Sequence, residues 1–420
     1  MRTWTFQSAG SLTFGRNATD HLPDVARGLG AKKVFVVADA ILERAGVVER
    51  VGTKLRAAGL GIDVFHVDRP EPAVETIRSA TAAAKAFGPD VIIGLGGGSN
   101  MDTAKLVALV LAHGGDATDY TGDCRVPGPV MPLVCVPTTA GTGSEVSAAA
   151  VFTDTARQIK VSCLSPFLRP DAAVVDPLLT VSCPPKVTAD SGIDALTHAI
   201  EAFTAIDNNA FPLPSGERTV YQGKNPMADV MARECIGLVF RYLQRAVADG
   251  TDLEARDGMA LAATLGGLAF SNAGVALVHA MEYPVGGAVH VSHGAGNGLL
   301  LPYVMTFNLP AAQRTLAQIP AIISRPPAEG EEGESSRAVA MVTKLWEHQS
   351  LQGEANRAVA MVTKLREEIG IPTRLRDIGV TEDMLPGFAT KAFAIKRLMR
   401  VNPRMPQSEE EILEIYRAAF

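Results

Sequence analysis

Aromatic residues are scarce in this 420-residue chain: Phe, Tyr and Trp make up 5% of it, against 47% hydrophobic residues overall. Small aliphatic residues in that proportion favour helices packed on a sheet over an all-β sandwich. Cysteine is equally sparse. Cys124, Cys135, Cys163, Cys183 and Cys235 contain no C-x-x-C pair and are odd in number, which argues against a disulfide framework or a zinc ribbon and for reduced, cytosolic thiols. No sign of charge dominates: the formal net charge is −6, mixed along the chain, so no nucleic-acid partner is expected. No uninterrupted apolar run reaches the ~18 residues of a membrane span, and the longer runs, such as Val91 to Leu95, have strand length. The segment Met1 to Phe6 lacks the apolar core of a secretory signal. These absences together lead to the expectation of a cytoplasmic protein with no membrane partner.

The length suits two domains, and the pattern changes character along the chain. Strand-like runs at Val34–Ala38, Gly61–Val67, Asp90–Leu95 and Pro132–Val136 alternate with helical spacing over 41–58 and 73–87. That alternation indicates βαβ units and a parallel sheet. Beyond about residue 186 helical patterns take over: 186–205, 226–248, 252–270, 295–305, 310–323, 356–369 and 408–419. The boundary is expected at Cys183-Pro184-Pro185, where prolines interrupt the pattern. Residues 325–335 are acidic and rich in Pro and Gly, and read as a solvated loop. RAVAMVTKL at 337–345 recurs at 357–365, a local duplication too short for a solenoid.

Two loops suit a phosphate ligand. Gly94-Leu95-Gly96-Gly97-Gly98-Ser99 follows a strand and opens a helix with Asp102 and Lys105. Glycines let backbone N–H groups approach an anion, and the helix N-terminus favours negative charge. The run is neither a full G-x-G-x-x-G nor a Walker A motif, so alone it also fits a tight strand-to-helix turn. Pro137 to Glu145 (PTTAGTGSE) also follows a strand. Its hydroxyls, on Thr138, Thr139, Thr142 and Ser144, can wrap a dinucleotide at the carboxyl end of a sheet. Asp39, ending the first strand-like run, either accepts a hydrogen bond from an adenosine ribose, favouring NAD over NADP, or caps the helix that starts near Ile41.

Histidine is scarce too, eight residues in all, yet His198, His279, His290 and His293 fall in the helical half. Asp194 and His198 stand at i and i+4, on one face of a helix. With His279 and His293 they form a mixed oxygen and nitrogen set suited to Fe(II), Zn(II) or Mn(II). The competing reading is of histidines satisfied within an apolar core. His290 is expected behind the ligands or exposed.

In order along the chain, Gly96 to Ser99 with Asp102 and Lys105, Pro137 to Glu145, Asp176-Pro177, Gly192 to Glu201 (GIDALTHAIE), His279 and His293-Gly294 resemble the motifs of the iron-containing (group III) alcohol dehydrogenases. The resemblance runs from about residue 5 to the end, including Asn402-Pro403-Arg404. It implies an N-terminal dinucleotide-binding α/β domain, 1–185, and an all-α C-terminal metal-binding domain, 186–420, in a dehydroquinate synthase-like architecture with the active site in the cleft. It implies a divalent metal, usually iron, on Asp194, His198, His279 and His293. Gly96, Gly97, Gly98, Ser99, Thr138, Thr139 and Thr142 would line NAD or NADP, and Lys160 matches a family lysine near the cofactor. The implied reaction is hydride transfer between the nicotinamide and a small alcohol or aldehyde, in a homodimer. A lyase or synthase of the dehydroquinate synthase type and a hydroxyacid–oxoacid transhydrogenase are the alternatives.

The chain departs from the family pattern in three places. Where many members have a further His four residues after the third ligand, Tyr283 stands here. A tyrosine still donates a proton, although its ordinary pKa is ~10. Residues 207–225 form a longer connection than usual, able to cap the cleft or extend an interface, and the 337–365 duplication is the third departure. Lys391, Lys396, Arg397 and Arg400 read as helix-surface charges, with contact to an anionic substrate as the second reading.

Overall fold

The structure, a computed structural model of the chain, describes residues 3–67, 72–156, 159–213, 216–325 and 351–420. Among these, the strands are β1 (Ser11–Phe14), β2 (Lys33–Asp39), β3 (Gly61–Val67), β4 (Val91–Gly96), β5 (Gly122–Asp123), β6 (Leu133–Pro137), β7 (Ala149–Asp154), β8 (Ile159–Leu164) and β9 (Ala172–Val175). Six form one all-parallel sheet in the order β1-β9-β6-β4-β2-β3.

The central strands are apolar throughout because both sheet faces are covered. Val34, Val36 and Ala38 of β2 point to one face, onto Leu22, Val48, Val51 and Leu55. Phe35 and Val37 point to the other, onto Ala80, Ala84, Met101 and Ala104. From β2 the chain runs outward to β3, then returns to the opposite side of β2 as β4. This reversal opens a crevice at the carboxyl ends of β2 and β4, where ligands bind in sheets of this kind. Asp39 ends β2 and Gly96 ends β4.

Four strand-like runs expected from sequence became β2, β3, β4 and β6. The four-residue β1 and β9 were not anticipated, and neither was the small sheet β5-β8-β7, in which β7 and β8 are antiparallel. β7 alternates buried and half-buried residues, AAVFTD, over too short a run to stand out.

Beyond β9 the described structure is helical. Helices Pro185–Thr204, Pro226–Ala248, Leu253–Ala273, Leu277–Val289, His293–Leu316, Leu351–Glu368, Leu385–Ala394 and Glu409–Ala419 pack on one core. Two expected helices, 295–305 and 310–323, are instead one long helix, His293–Leu316, followed by Ile319–Ile323. It carries Pro302 and Pro310 in its interior. Leu277–Val289, with Pro284 inside it, was not expected as a helix. The 357–365 copy of the repeat lies within Leu351–Glu368, while the 337–345 copy lies outside the described residues.

The long 207–225 connection folds back on itself. Asn208 N–H donates to the Lys224 carbonyl, and Lys224 N–H to that of Ile206. It buries Phe211, Val220 and Tyr221 in the helical core. Among the described residues no single helix is long and apolar enough to cross a membrane.

Candidate metal centre and cofactor crevice

Helix Pro185–Thr204 is buried along almost its whole length from Thr188 onward. Polar side chains there must find partners, because an unpaired buried polar group is costly. Asp194, His198 and Glu201 lie at i, i+4 and i+7, on one stripe. Two glycines let helix His293–Leu316 press against this stripe. A Cβ at Gly294 would strike the Asp190 carbonyl oxygen, and one at Gly298 would come within 2.7 Å of Ile193 Cγ1. That close approach carries His293 and Asn297 to the carboxylate of Asp194.

Asp194, His198 and His279 each offer a ligand atom, and these atoms lie within 4.8 Å of one another. His198 Nε2 is 3.9 Å from Asp194 Oδ2. The Asn297 amide donates to Asp194 Oδ1 at 2.8 Å and stands 3.2 Å from both His279 Nε2 and His293 Nε2. His293 therefore joins the cluster at its edge, with a side chain 34% exposed.

The far side of two imidazoles is held by carboxylates. His279 Nδ1 is 2.6 Å from Glu201 Oε2, and His293 Nδ1 is 2.5 Å from Glu282 Oε2. A carboxylate on Nδ1 keeps the proton there and turns the Nε2 lone pair toward the cluster. His198 Nδ1, Glu282 Oε1 and Asn297 Oδ1 are buried with no hydrogen-bond partner among the described residues. A purely structural histidine core needs no such convergence of imidazole nitrogens on one buried carboxylate. One buried carboxylate facing three imidazoles is instead the donor set of a divalent first-row metal, and the residues fit one.

The electrostatics agree. Burial holds the His198 imidazole neutral, its pKa lowered to about 4. Burial also opposes charge on His293, but Glu282 and Asp194 outweigh it and push that pKa up to about 9. Burial disfavours ionised Asp194, yet the three imidazoles hold its carboxyl below the usual range.

At the crevice, β4 ends in Gly96 at φ 145°, and the following helix, Gly98–His113, has no side-chain cap. Its first backbone N–H groups thus face a prospective anion. The second loop lies against the first. Thr138 N–H donates to the Gly96 carbonyl at 3.0 Å. A methyl at Gly98 would come 2.9 Å from Thr142 Cγ2, and one at Gly97 would come 3.6 Å from Thr139 Oγ1. Asp102 and Ser144 meet each other: Ser144 Oγ donates to Asp102 Oδ1 at 2.6 Å. The buried Lys105 ammonium donates to Ser144 Oγ at 2.8 Å, to Ser147 Oγ and its carbonyl at 3.1 Å, and to the Ala149 carbonyl at 2.8 Å. These bonds fasten the hydroxyl-rich loop to the glycine-loop helix. Gly143, at φ 61°, lies on Gly267, where any Cβ would come 2.7 Å from Gly143 Cα, and this contact seats the loop on the helical half.

Asp39 is a helix cap: Oδ1 accepts from the N–H groups of Ile41 and Leu42, and Oδ2 accepts from Asn100 Nδ2 at 2.9 Å. Lys160 Nζ reaches the Leu277–Val289 helix, 3.3 Å from where a Cβ on Gly286 would stand, and its charge favours ionised Glu282. The Tyr283 ring stacks on His293, centroids 5.9 Å apart. His290 is exposed at a helix C-terminus. Glu201, Glu282 and Asn297 were not singled out from sequence. The available signal was spacing: Glu201 is i+3 from His198, Glu282 is i+3 from His279, and Asn297 is i+4 from His293.

Known proteins resemble this chain along most of its length. The family model described as "Iron-containing alcohol dehydrogenase" matches residues 9–177, and "Fe-containing alcohol dehydrogenase family, C-terminal" matches residues 217–420. The chain is 37% identical to Long-chain-alcohol dehydrogenase 1 of Geobacillus thermodenitrificans, over 97% of this chain and 94% of that one. It is 35% identical to the NAD-dependent methanol dehydrogenase of Bacillus methanolicus, over 97% of each. The crystal structure of a 1,3-propanediol oxidoreductase superposes with a TM-score of 0.88 at 34% identity, covering 100% of both chains.

Proposed function

Because the chain belongs to the iron-containing alcohol dehydrogenase family, we propose that it is a metal-dependent, NAD-linked oxidoreductase that interconverts a small alcohol and its aldehyde. The observation that carries this reading is the convergence of Asp194, His198 and His279, with His293 at the edge, backed by Glu201 and Glu282. Relatives named for methanol and long-chain alcohols support the reaction class.

In this reading Asp194, His198, His279 and His293 would hold Fe(II), and the same oxygen and nitrogen donors also accept Zn(II) or Mn(II). A metal held there would supply a Lewis acid for the substrate oxygen, and a bound nicotinamide would supply or take up the hydride. The protein's own groups do the rest. Glu201 and Glu282 keep a proton on Nδ1 of His279 and His293, so Nε2 is the nitrogen left for the metal, in His293 once its second proton has gone. The Gly96–Ser99 turn and the helix behind it take the pyrophosphate, lined by Thr138, Thr139 and Thr142, with Asp102, Lys105 and Ser144 fixing the loop. Asp39 accepts from the adenosine ribose and repels a 2′-phosphate, which selects NAD over NADP. Lys160 adds positive charge at the nicotinamide end. Burial raises the pKa of Tyr283, so its hydroxyl stays protonated and acts as a donor rather than as a base. The division at residue 185, a homodimer and a cytoplasmic location complete the proposal. The last two draw on the exposed Leu12 and Phe14 of the edge strand β1 and on five unpaired thiols.

The test mixes purified protein, Fe(II) or Zn(II), NADH and a panel of short aldehydes. NADH is consumed if the reading holds. No turnover with any aldehyde, or turnover indifferent to chelation, would sink it.

A further inference from the structure

Four basic residues near the C-terminus share one sequence neighbourhood but not one environment. Lys391 and Lys396 are exposed, as helix-surface charges should be, whereas Arg397 and Arg400 are drawn inward. Arg400 is spoken for: Glu217 stands 2.6 Å from its Nη1 and Asp123 3.7 Å from its Nη2. Arg397 is not. Among the described residues no carboxylate lies within ion-pair distance of it, and its hydrogen bond goes to a neutral group, Ser162 Oγ, at 2.8 Å.

Arg397 lies against elements that carry residues of the candidate site. Its short helix, Lys396–Met399, packs on helix Leu277–Val289, which carries His279 and Tyr283. Ser162 lies in β8, two residues after Lys160 and on the same strand face. Tyr283 stacks on His293, and the Arg397 charge acts on the hydroxyls of both Tyr283 and Tyr221. Tyr221 comes from the 207–225 segment, is 4% exposed, and has no hydrogen bond to its hydroxyl among the described residues. Two of the chain's departures from its family, Tyr283 and the long connection, thus meet around one half-buried cation.

We propose that Arg397, flanked by Tyr221 and Tyr283, binds an acidic group on the substrate, so that the preferred carbonyl compound is a small aldehyde or oxo compound bearing a carboxylate or sulfonate. The inference rests on the dehydrogenase reading and names its substrate class. A partly desolvated guanidinium without a counterion gains most from an incoming anion, through charge-assisted hydrogen bonds and a planar fork matched to oxyanions. The nearby acids do not neutralise it, since Glu282 is bonded to His293 and Asp123 faces Arg400. A neutral alcohol would leave the cation uncompensated.

Two measurements test this. The first is calorimetric titration of the NAD-loaded holoenzyme with butyrate and, separately, with propanesulfonate, which distinguishes the two acid types. At least one binds, and Arg397→Met weakens it about 30-fold, the usual worth of a hydrogen bond to a charged group. Arg397→Lys recovers part of the loss, and Lys391→Met recovers or removes nothing. The second is the ratio of kcat/KM for succinic semialdehyde over butanal, and for sulfoacetaldehyde over propanal. One acidic member is favoured, and Arg397→Met lowers that ratio by a similar factor, mainly through KM. A wild-type ratio at or below one for both pairs overturns the proposal. So does an Arg397→Met variant that loses acidic and neutral substrates equally, which marks Arg397 as structural, or one that binds the anions as wild type does. Failure to reduce any aldehyde refutes the dehydrogenase reading instead, and the calorimetry then decides the anion site alone.

Discussion

Glu201 Oε2 accepts from His279 Nδ1 at 2.6 Å while the same carboxylate accepts the N–H groups of Ala276 at 2.8 Å and Val278 at 2.6 Å. One acid on helix Pro185–Thr204 therefore fixes both the imidazole and the start of the helix that carries it. Glu201→Gln replaces an acceptor-only group with an amide that cannot serve all three donors. Metal affinity should fall about 10- to 100-fold, measured by competition with a chelator, while the circular dichroism spectrum stays native. Unchanged affinity would remove Glu201 from the centre.

The charge on His293 gives metal uptake a pH dependence. Its pKa in the metal-free protein lies up at about 9 and that of His198 down at about 4, so near neutrality one proton on His293 must leave for its Nε2 to bind. Apparent affinity should rise about tenfold per pH unit from about pH 6 to 8, with about one proton released per metal in buffered calorimetry. The same sign predicts that metal-free protein loses this contribution to stability as pH rises through about 9. An affinity flat across that range would contradict the assignment.

Lys105 is a fully buried cation with four hydrogen-bond partners, and Asp102 lies 3.8 Å away. Lys105→Met removes the counter-charge of Asp102, which keeps its hydrogen bonds from Ser144 Oγ and Val151 N–H, and leaves four acceptors without their donor, at a cost of about 3 kcal/mol or more. The midpoint of denaturant unfolding should fall, and KM for NADH should rise more than kcat changes, because the loosened element is the Thr138–Ser144 loop.

Asp39 both caps a helix and meets Asn100 of the glycine-loop helix. Asp39→Ser keeps a capping oxygen and removes the negative charge. The ratio of kcat/KM for NADPH over NADH should rise about tenfold or more. An unchanged ratio would leave Asp39 with its capping role alone.

What was legible in the sequence follows from where each residue sits. β2, β4 and β6 are apolar on both faces because helices cover both, so their runs stand out without any partner in view. β1 and β9 are four residues long, and β1 at the edge leaves Leu12 and Phe14 exposed, so neither rises above the background. Two helices, 295–305 and 310–323, were expected, yet one helix runs on through Pro302 and Pro310. The candidate ligands could be read because Asp194 and His198 share a helix face and histidine is rare. Glu282 could not, because a glutamate on a helix looks solvated until the fold buries it against His293. Arg397 and Lys396 are adjacent in sequence, and only tertiary packing separates the exposed lysine from the inward arginine.

The most direct measurement is a titration of chelator-stripped protein with Fe(II) under anaerobic conditions, following NADH-dependent aldehyde reduction and bound metal together. Activity should rise in proportion to metal and saturate at about one equivalent per chain, with both signals abolished in His198→Ala and His279→Ala variants that remain folded. Full activity in the stripped protein, or turnover that persists in the His279→Ala variant, would contradict the account.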